Sequence, residues 1–414
     1  MLIKTVLNRV HPLKLFVYVA VSIIAGVVHV TVEPRKGSRG TCSGCGKRGP
    51  TYDTSRRPRH FDFVPLWGMP VVLVYWMRRI DCPRCKATVE QVPWADGKHH
   101  ACNAYRLFLA RWAKRLSWTE VASVFGTSWG VVYRSVQWVV AYGLKHRDLN
   151  GVLAIGVDEI AVWHGHKYLT VVYQIDEGSR RLLWVGRERT KATLRQFFEM
   201  FGEARSKVLR FVASDMWKPY LDVVKEKAGQ ALQILDRYHV AAKLNKAVDE
   251  VRAKEARELA RKGYAPVLKH SRFCFLKRKE KRSVNQRRKL REVLHYDLRT
   301  VRAFLHKEAF DAFWKYKSVA WAGWFLDKWC NRVMRSRLQP LKRFAKTLRA
   351  HRPLLLNWFA AKGEIALGVV EGMNTNAKLA IRKARGFRTF DALETALYHQ
   401  LGRLPEPEVT HRFC

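Results

Sequence analysis

One run constrains this chain more than any other: Val152-Leu-Ala-Ile-Gly-Val-Asp158, six uncharged, mostly aliphatic residues that end on a carboxylate. Such a run reads as a fully buried central strand, and it presents Asp158 where the strand emerges. The stretches behind it narrow the fold further. Tyr168–Ile175 and Arg181–Val185 read as two more strands, and Thr193–Arg205 as a helix. Val208–Ala213 is a fourth strand leading into Ser214 and Asp215. Trp217–Ala228 is a second helix, and Ala231–Leu235 a fifth strand that stops at Asp236.

The order βββαβαβ is that of the ribonuclease-H-like fold, an α/β architecture in which the ends of strands one and four are adjacent. Asp158 and Asp215 then face each other. Asp236 competes with Asp215 for that place, and the residues alone leave the choice open. His239, three positions on, reads as a core histidine or a supporting neighbour of the site. Glu159 adjoins Asp158 but belongs to the opposite face, because strand side chains alternate. Taken singly, an aspartate at a strand end is more often a turn or cap than a ligand.

Residues 240–360 read as a helical insertion, basic and rich in tryptophan. Lys277–Arg291 holds nine basic residues and one acid, a pattern that is usually a solvated face. Phe310, Phe313, Trp314, Trp321, Trp324 and Phe325 have helical spacing and read as a core stripe rather than a base-stacking platform. Beyond the insertion comes Val369-Val-Glu-Gly-Met-Asn-Thr-Asn-Ala-Lys378. On a helix Glu371, Asn374 and Lys378 share one face, placing a carboxylate, an amide and an ammonium in one stripe.

The charge indicates what such a site acts on. The chain carries 77 Lys and Arg against 35 Asp and Glu, a formal +42. That surplus exceeds the needs of solubility and points to a polyanion, with nucleic acid ahead of a membrane surface. The apolar stretch Leu15–Val30 is shorter than the ~20 residues of a membrane span and reads as a buried helix or strand, with no cleavage site of a signal peptide. Phosphodiester chemistry needs an activated nucleophile, a stabilised leaving oxygen and charge neutralisation, which two divalent ions about 4 Å apart supply. Magnesium, or manganese, takes few protein carboxylates. Asp158 would bridge both ions, with Asp215 and Glu371 holding one each. Crowded carboxylates repel, which raises their pKa values until a metal arrives.

The upstream third supplies binding modules. After an N-terminal segment (1–40), residues 41–95 contain Cys42-Ser-Gly-Cys45 and Cys82-Pro-Arg-Cys85. Two such knuckles make a closed tetrahedral Zn2+ site, the pattern of a zinc ribbon with a wide loop; redox dithiols or merely packed thiols are the other readings. Cys102, Cys274, Cys330 and Cys414 are scattered, so the eight cysteines suggest a reducing cytosol rather than a disulfide framework. Residues 103–147 read as helices. Ser117-Trp-Thr-Glu120 is a capping box, Gly126 ends that helix, and Val132, Val136, Val139 and Val140 line the next. This matches a helix-turn-helix that would turn Ser128, Trp129, Tyr133 and Arg134 to a DNA groove, although ordinary helical hairpins look alike.

These motifs together resemble bacterial insertion-sequence transposases of the ISL-three type, which carry a DDE transposase domain. The resemblance rests on the four cysteines, the helices around 117–141, Gly156-Val-Asp-Glu159, Ser214-Asp-Met-Trp-Lys-Pro-Tyr220, Asp236-Arg-Tyr-His239, Glu371-Gly-Met-Asn-Thr-Asn-Ala-Lys378 and Arg385-Gly-Phe-Arg388. It implies a catalytic domain over 150–400, interrupted by the helical insertion of about 240–360, and metal-dependent cutting and joining at the element's ends. Asp158, Asp215 and Glu371 match the family's acid triad. The implied partners are the element's inverted repeats and target double-stranded DNA, and a dimer is expected because two ends must be paired. The implied location is the bacterial cytoplasm, on the nucleoid, with no membrane. A structure-specific nuclease on the same fold, or a non-catalytic zinc and helix-turn-helix regulator, are the competing readings.

Overall fold

The computed structural model describes residues 2–163, 167–362, 364 and 368–409 of the chain. Contacts divide it into two compact units, residues 149–375 and residues 1–148 together with 376–414. The second of these joins the C-terminal stretch to the N-terminal third.

The unit 149–375 is built on a five-stranded sheet. Its strands are β1 (Ala154–Trp163), β2 (Lys167–Gln174), β3 (Arg181–Arg187), β4 (Phe211–Ser214) and β5 (Leu232–Leu235). Their order across the sheet is β3-β2-β1-β4-β5. The first three are antiparallel neighbours, and β4 and β5 run parallel to β1. Helices Lys191–Phe201 and Lys218–Lys227 cross one face and bury Leu194, Phe197, Phe201, Tyr220 and Val223 against Val157, Val172 and Val212. Each element expected from the apolar runs forms within a few residues of its expected bounds.

One detail departs from expectation. β1 does not end at Asp158 but runs five residues further, because Asp158 to Ala161 stay paired with Val171 to Tyr168 of β2. On the other side, pairing with β4 stops at Gly156 opposite Ala213. Asp158 thus emerges where its parallel neighbour gives out, not where its own strand does.

The helices from Arg237 to Ala360 form a second core in this unit, around Phe275, Phe310, Phe313, Leu326, Trp329 and Leu341. The aromatic stripe divides: Phe310 and Phe313 are buried, whereas Trp321 and Trp324 are exposed, with the Lys328 ammonium 4.5 Å from the Trp324 ring centre. The segment after the insertion returns as the helix Gly368–Lys383. The division between the two units falls within that helix, after Thr375.

In the other unit Phe16–Ile24 and Val27–Pro34 form a hairpin that joins Met69–Tyr75 and Arg59–Leu66 in a four-stranded sheet. The apolar N-terminal stretch is therefore two strands, turned at Ala25 and Gly26, both with positive φ. Trp94 is the hub of its core, edge-on to Phe16, Phe61 and Tyr75. Helices Asn103–Ala113, Trp118–Val124 and Trp129–His146 follow. The Ser117–Glu120 capping box forms in both directions, and Ser128 caps the third helix through the Val131 amide. Among the described residues no helix is long and apolar enough to cross a membrane. Cys102, Cys274 and Cys330 are buried, unbridged thiols; Cys414 lies outside the described residues.

Candidate active site

β4 and β5 each end immediately before an aspartate, and Ser214 pairs with Leu235, so Asp215 and Asp236 leave the sheet side by side. Together with Asp158, His239, Val157, Ala213, Ser214 and Val370 they line a small hollow at the strand ends. Asp158 is 8% exposed. Its Oδ2 accepts a hydrogen bond from Asn374 Nδ2 at 2.6 Å, and its Oδ1 one from the Glu159 amide at 2.8 Å. The Tyr173 hydroxyl donates to Asn374 Oδ1 at 2.8 Å, which turns the amide so that its NH2 group meets Asp158. The Asp236 Oδ1 accepts from the Tyr238 amide at 2.8 Å and caps the helix Arg237–Arg261. Between the two acids stands His239, with Nε2 3.8 Å from Asp158 and 4.0 Å from Asp236. Burial pushes the carboxyls of Asp158 and Asp236 above their ordinary range.

Asp215 has a different set of partners. Its Oδ1 accepts from the Trp217 amide at 2.8 Å, and its Oδ2 from Arg189 Nη2 at 2.9 Å. Arg189 lies over the Trp217 ring at 4.3 Å and extends Nη1 to Glu159 Oε1 at 3.1 Å. Glu159 thus alternates away from Asp158, as its position on the strand requires, yet is tied to the site through this arginine. Burial, then the nearby Asp215 charge, lifts Glu159 to about 7, with Arg189 opposing. Glu159 Oε2 and Arg189 Nε are buried without a hydrogen-bond partner, so the bridge leaves capacity on both groups unused. Arg189, Glu159 and Tyr173 were not among the site residues expected from sequence. They sit on β1 and β2 and just after β3, with no spacing signal to single them out.

The helix Gly368–Lys383 comes close to β1 because Gly156 has no side chain: a Cβ there would lie 2.4 Å from Val370 Cγ2. Of the expected stripe, Asn374 is buried and touches Asp158, while Glu371 and Lys378 are exposed. Glu371 does not line the hollow, but its charge is near enough to raise Asp236. Lys378 lies past the point where the units divide. The structure therefore gathers Asp158, Asp215, Asp236, His239 and Asn374, and leaves Glu371 one helical turn from Asn374. Among the described residues only Cys42, Cys45, Cys82 and Cys85 form a group of three or more such ligand atoms all within 4.8 Å of one another.

Those four sulfurs fit zinc well. Amides of Cys45 and Gly44 lower the Cys42 thiol to about 7, whereas a hydrogen bond with Cys45 and burial push the Cys85 thiol up to about 12; Gly44 leaves room beside Cys85, whose sulfur would sit 3.0 Å from a Cβ at that position. At the strand ends the donors are hard carboxylate oxygens, suited to divalent cations. The desolvation that lifts Asp158 and Asp236 is the penalty such a cation would offset. In the other unit Ser128, Trp129 and Arg134 are exposed. Tyr133 is half-buried, stacked with Trp129 at 5.1 Å and bonded to Gln137.

Residues 155–397 match the ISL3-type DDE transposase family, described as transposase. Residues 38–85 match the zinc-finger of transposase IS204/IS1001/IS1096/IS1165. These define an α/β transposase domain preceded by a zinc ribbon. The chain is 31% identical over 387 residues to the transposase for insertion sequence element IS1557 of Mycobacterium tuberculosis, covering 87% of this chain and 86% of that one. It is 26% identical over 352 residues to the transposase for IS1001 of Bordetella parapertussis, covering 84% and 85%. The chain belongs to the ISL3 family of insertion-sequence transposases. Membership implies DNA as partner and a divalent metal for the DDE domain, and the four-cysteine ribbon supports structural zinc.

Proposed function

We propose that this chain binds the terminal inverted repeats of its element, hydrolyses phosphodiesters there and joins the freed 3′-OH to target DNA. The observation that carries the reading is the bond between Asn374 and Asp158, 216 positions apart. It brings the helix of Glu371 to the strand that holds the first acid. The sheet order β3-β2-β1-β4-β5 supports a ribonuclease-H-like core. Asp158, Asp215 and Glu371 are the proposed acids, and their carboxylates would hold the divalent ions, magnesium or manganese. Bound there, the ions supply Lewis acidity for the attacking and leaving oxygens.

The chain's own groups do the positioning. Asn374, itself held by Tyr173, fixes the plane of the Asp158 carboxylate, and the backbone amide of Glu159 holds its other oxygen. Arg189 supplies the counter-charge to Asp215 and Glu159. Asp236 and His239 flank Asp158 and act as supporting groups, since the acid after β4 is the one next to β1. Lys378 is assigned a supporting contact to DNA phosphate. The segment 103–147 serves as a helix-turn-helix through Ser128, Trp129, Tyr133 and Arg134, and 41–95 as the zinc-dependent module. The functional modules keep the bounds 1–40, 41–95, 103–147 and 150–400, with the helical insertion at about 240–360. The chain works as a dimer on paired ends, in the bacterial cytoplasm on nucleoid DNA.

The test is a strand-transfer assay on element ends with magnesium. Asp158→Ala should abolish joining while retaining end binding; full activity in that variant would sink the proposed site. Equal cutting of inverted-repeat and random DNA would instead favour a structure-specific nuclease. End binding without any cleavage by the unaltered protein would favour a regulator.

A further inference from the structure

A cavity larger than the hollow at the acids is present among the described residues. It lies in the unit formed by the N-terminal third and the C-terminal stretch, and measures about 770 Å3, within the range of sites that hold small organic molecules. One wall is aromatic: Trp118 packs 5.7 Å from Trp129 and 5.6 Å from Phe387, centre to centre. The other is basic, with Lys383, Arg385 and Arg388 lining it. Secondary structure fixes both walls. Trp118 and Trp129 each open a helix whose cap is formed by the preceding serine. Arg385 and Gly386 take successive positive φ values, +54° and +95°, which turn the chain sharply off the helix Gly368–Lys383. Lys383 donates to the Lys114 carbonyl at 3.3 Å, and Gln400 to the carbonyls of Ala113 and Lys114 at 3.1 and 3.2 Å. The cavity is therefore tied together before any ligand arrives.

We propose that this cavity binds an unpaired nucleotide of DNA, its base against Phe387, which Trp118 backs, and its phosphates on Arg385 and Arg388. Within a duplex both faces of a base are covered by its neighbours, so aromatic walls of a recess can engage only a base that has left the stack. Aromatic faces interleaved with cations are the pairing that single-stranded nucleic acid selects. Cations alone would suit any polyanion, and aromatics alone any apolar segment; the two together in one recess favour a nucleotide. The inference rests on DNA being the partner, but not on the acids or on catalysis. Strand joining exposes unpaired ends, which is the form of substrate the cavity fits.

The experiment uses the full-length, zinc-loaded protein and two probes at one ionic strength: a mixed-sequence single-stranded oligonucleotide and a blunt duplex of equal length. Phe387→Ala should weaken single-strand binding about tenfold, the scale of one lost stacking contact, with duplex affinity changed less than about twofold. Phe387→Trp should restore it. Arg388→Gln, at an exposed position and so without a packing defect, should also weaken the single strand selectively. Equal losses on both probes, no loss on either, or equal displacement of the oligonucleotide by an acidic peptide would overturn the proposal. Single-strand binding that survives in a chain inactive on element ends would uphold it while the transposition reading fails.

Discussion

Arg189 holds the balance of charge at the strand ends. It is 27% exposed at its side chain, and the carboxylates it joins, Glu159 and Asp215, are 15% and 13% exposed. Two acids that close to one another repel unless a cation intervenes, and this guanidinium is the cation the chain provides. Its stacking on Trp217 fixes the fork in place, which a lysine could not reproduce because it lacks the planar, two-pronged geometry. Arg189→Gln should therefore destabilise the protein by about 2 kcal/mol, less than a fully buried broken pair because some exposure screens the charges. Adding Glu159→Gln should recover part of that loss well above pH 7, where Glu159 is ionised and would otherwise be one of two stranded charges. Urea unfolding of the single and double variants measures both. Additive losses would show that the arginine stabilises by packing on Trp217 alone. Nothing in the sequence marked this group: Arg189 is one of many arginines, and its partners lie 30 and 26 positions away.

At the level of elements the sequence was informative where packing follows composition. The apolar runs gave strands and helices in their true order, since a strand buried on both faces has to be apolar along its length. Asp158 continuing inside its strand was not legible, because pairing with β2 on one side outlasts pairing with β4 on the other. The helix Gly368–Lys383 shows the same division. Its period placed Glu371, Asn374 and Lys378 on one stripe, but which of them meets Asp158 depends on how the helix is set against β1. Gly156 governs that approach. Gly156→Ala would drive a methyl group into Val370, so the helix must move, at a cost of about 1–3 kcal/mol. Val370→Ala in the same chain should return much of the stability by making room, and a thermal double-mutant cycle would show coupling between the two positions. If the two effects simply add, Gly156 is needed for its backbone and not for the close approach. The N-terminal hairpin was ambiguous for a related reason: Ala25 and Gly26 give the turn, but the apolar run on either side fits a helix as well as two strands.

Over the whole molecule the dominant quantity is the +42 formal charge. Some of it is spent internally: Arg78 is buried against Glu90, Arg299 clasps Glu255 and Glu258, and Arg282 meets Glu308. With 35 acids against 77 basic side chains, most cations cannot be neutralised within the chain and remain for phosphate. If only about eight of them reach the DNA backbone, each releasing close to one counterion, a fourfold rise in salt should lower affinity by about 10^4-fold. Titrations of inverted-repeat and random duplex at several salt concentrations would give parallel steep slopes, because backbone contacts carry charge and no sequence. Preference for the element end should then appear as a vertical offset between the two lines, set by base contacts from the proposed helix-turn-helix segment. A flat slope would mean that the surplus charge serves something other than DNA. Converging lines would mean that the end is distinguished by charge placement instead of base contacts, and the proposed roles of Ser128, Trp129, Tyr133 and Arg134 would then fall.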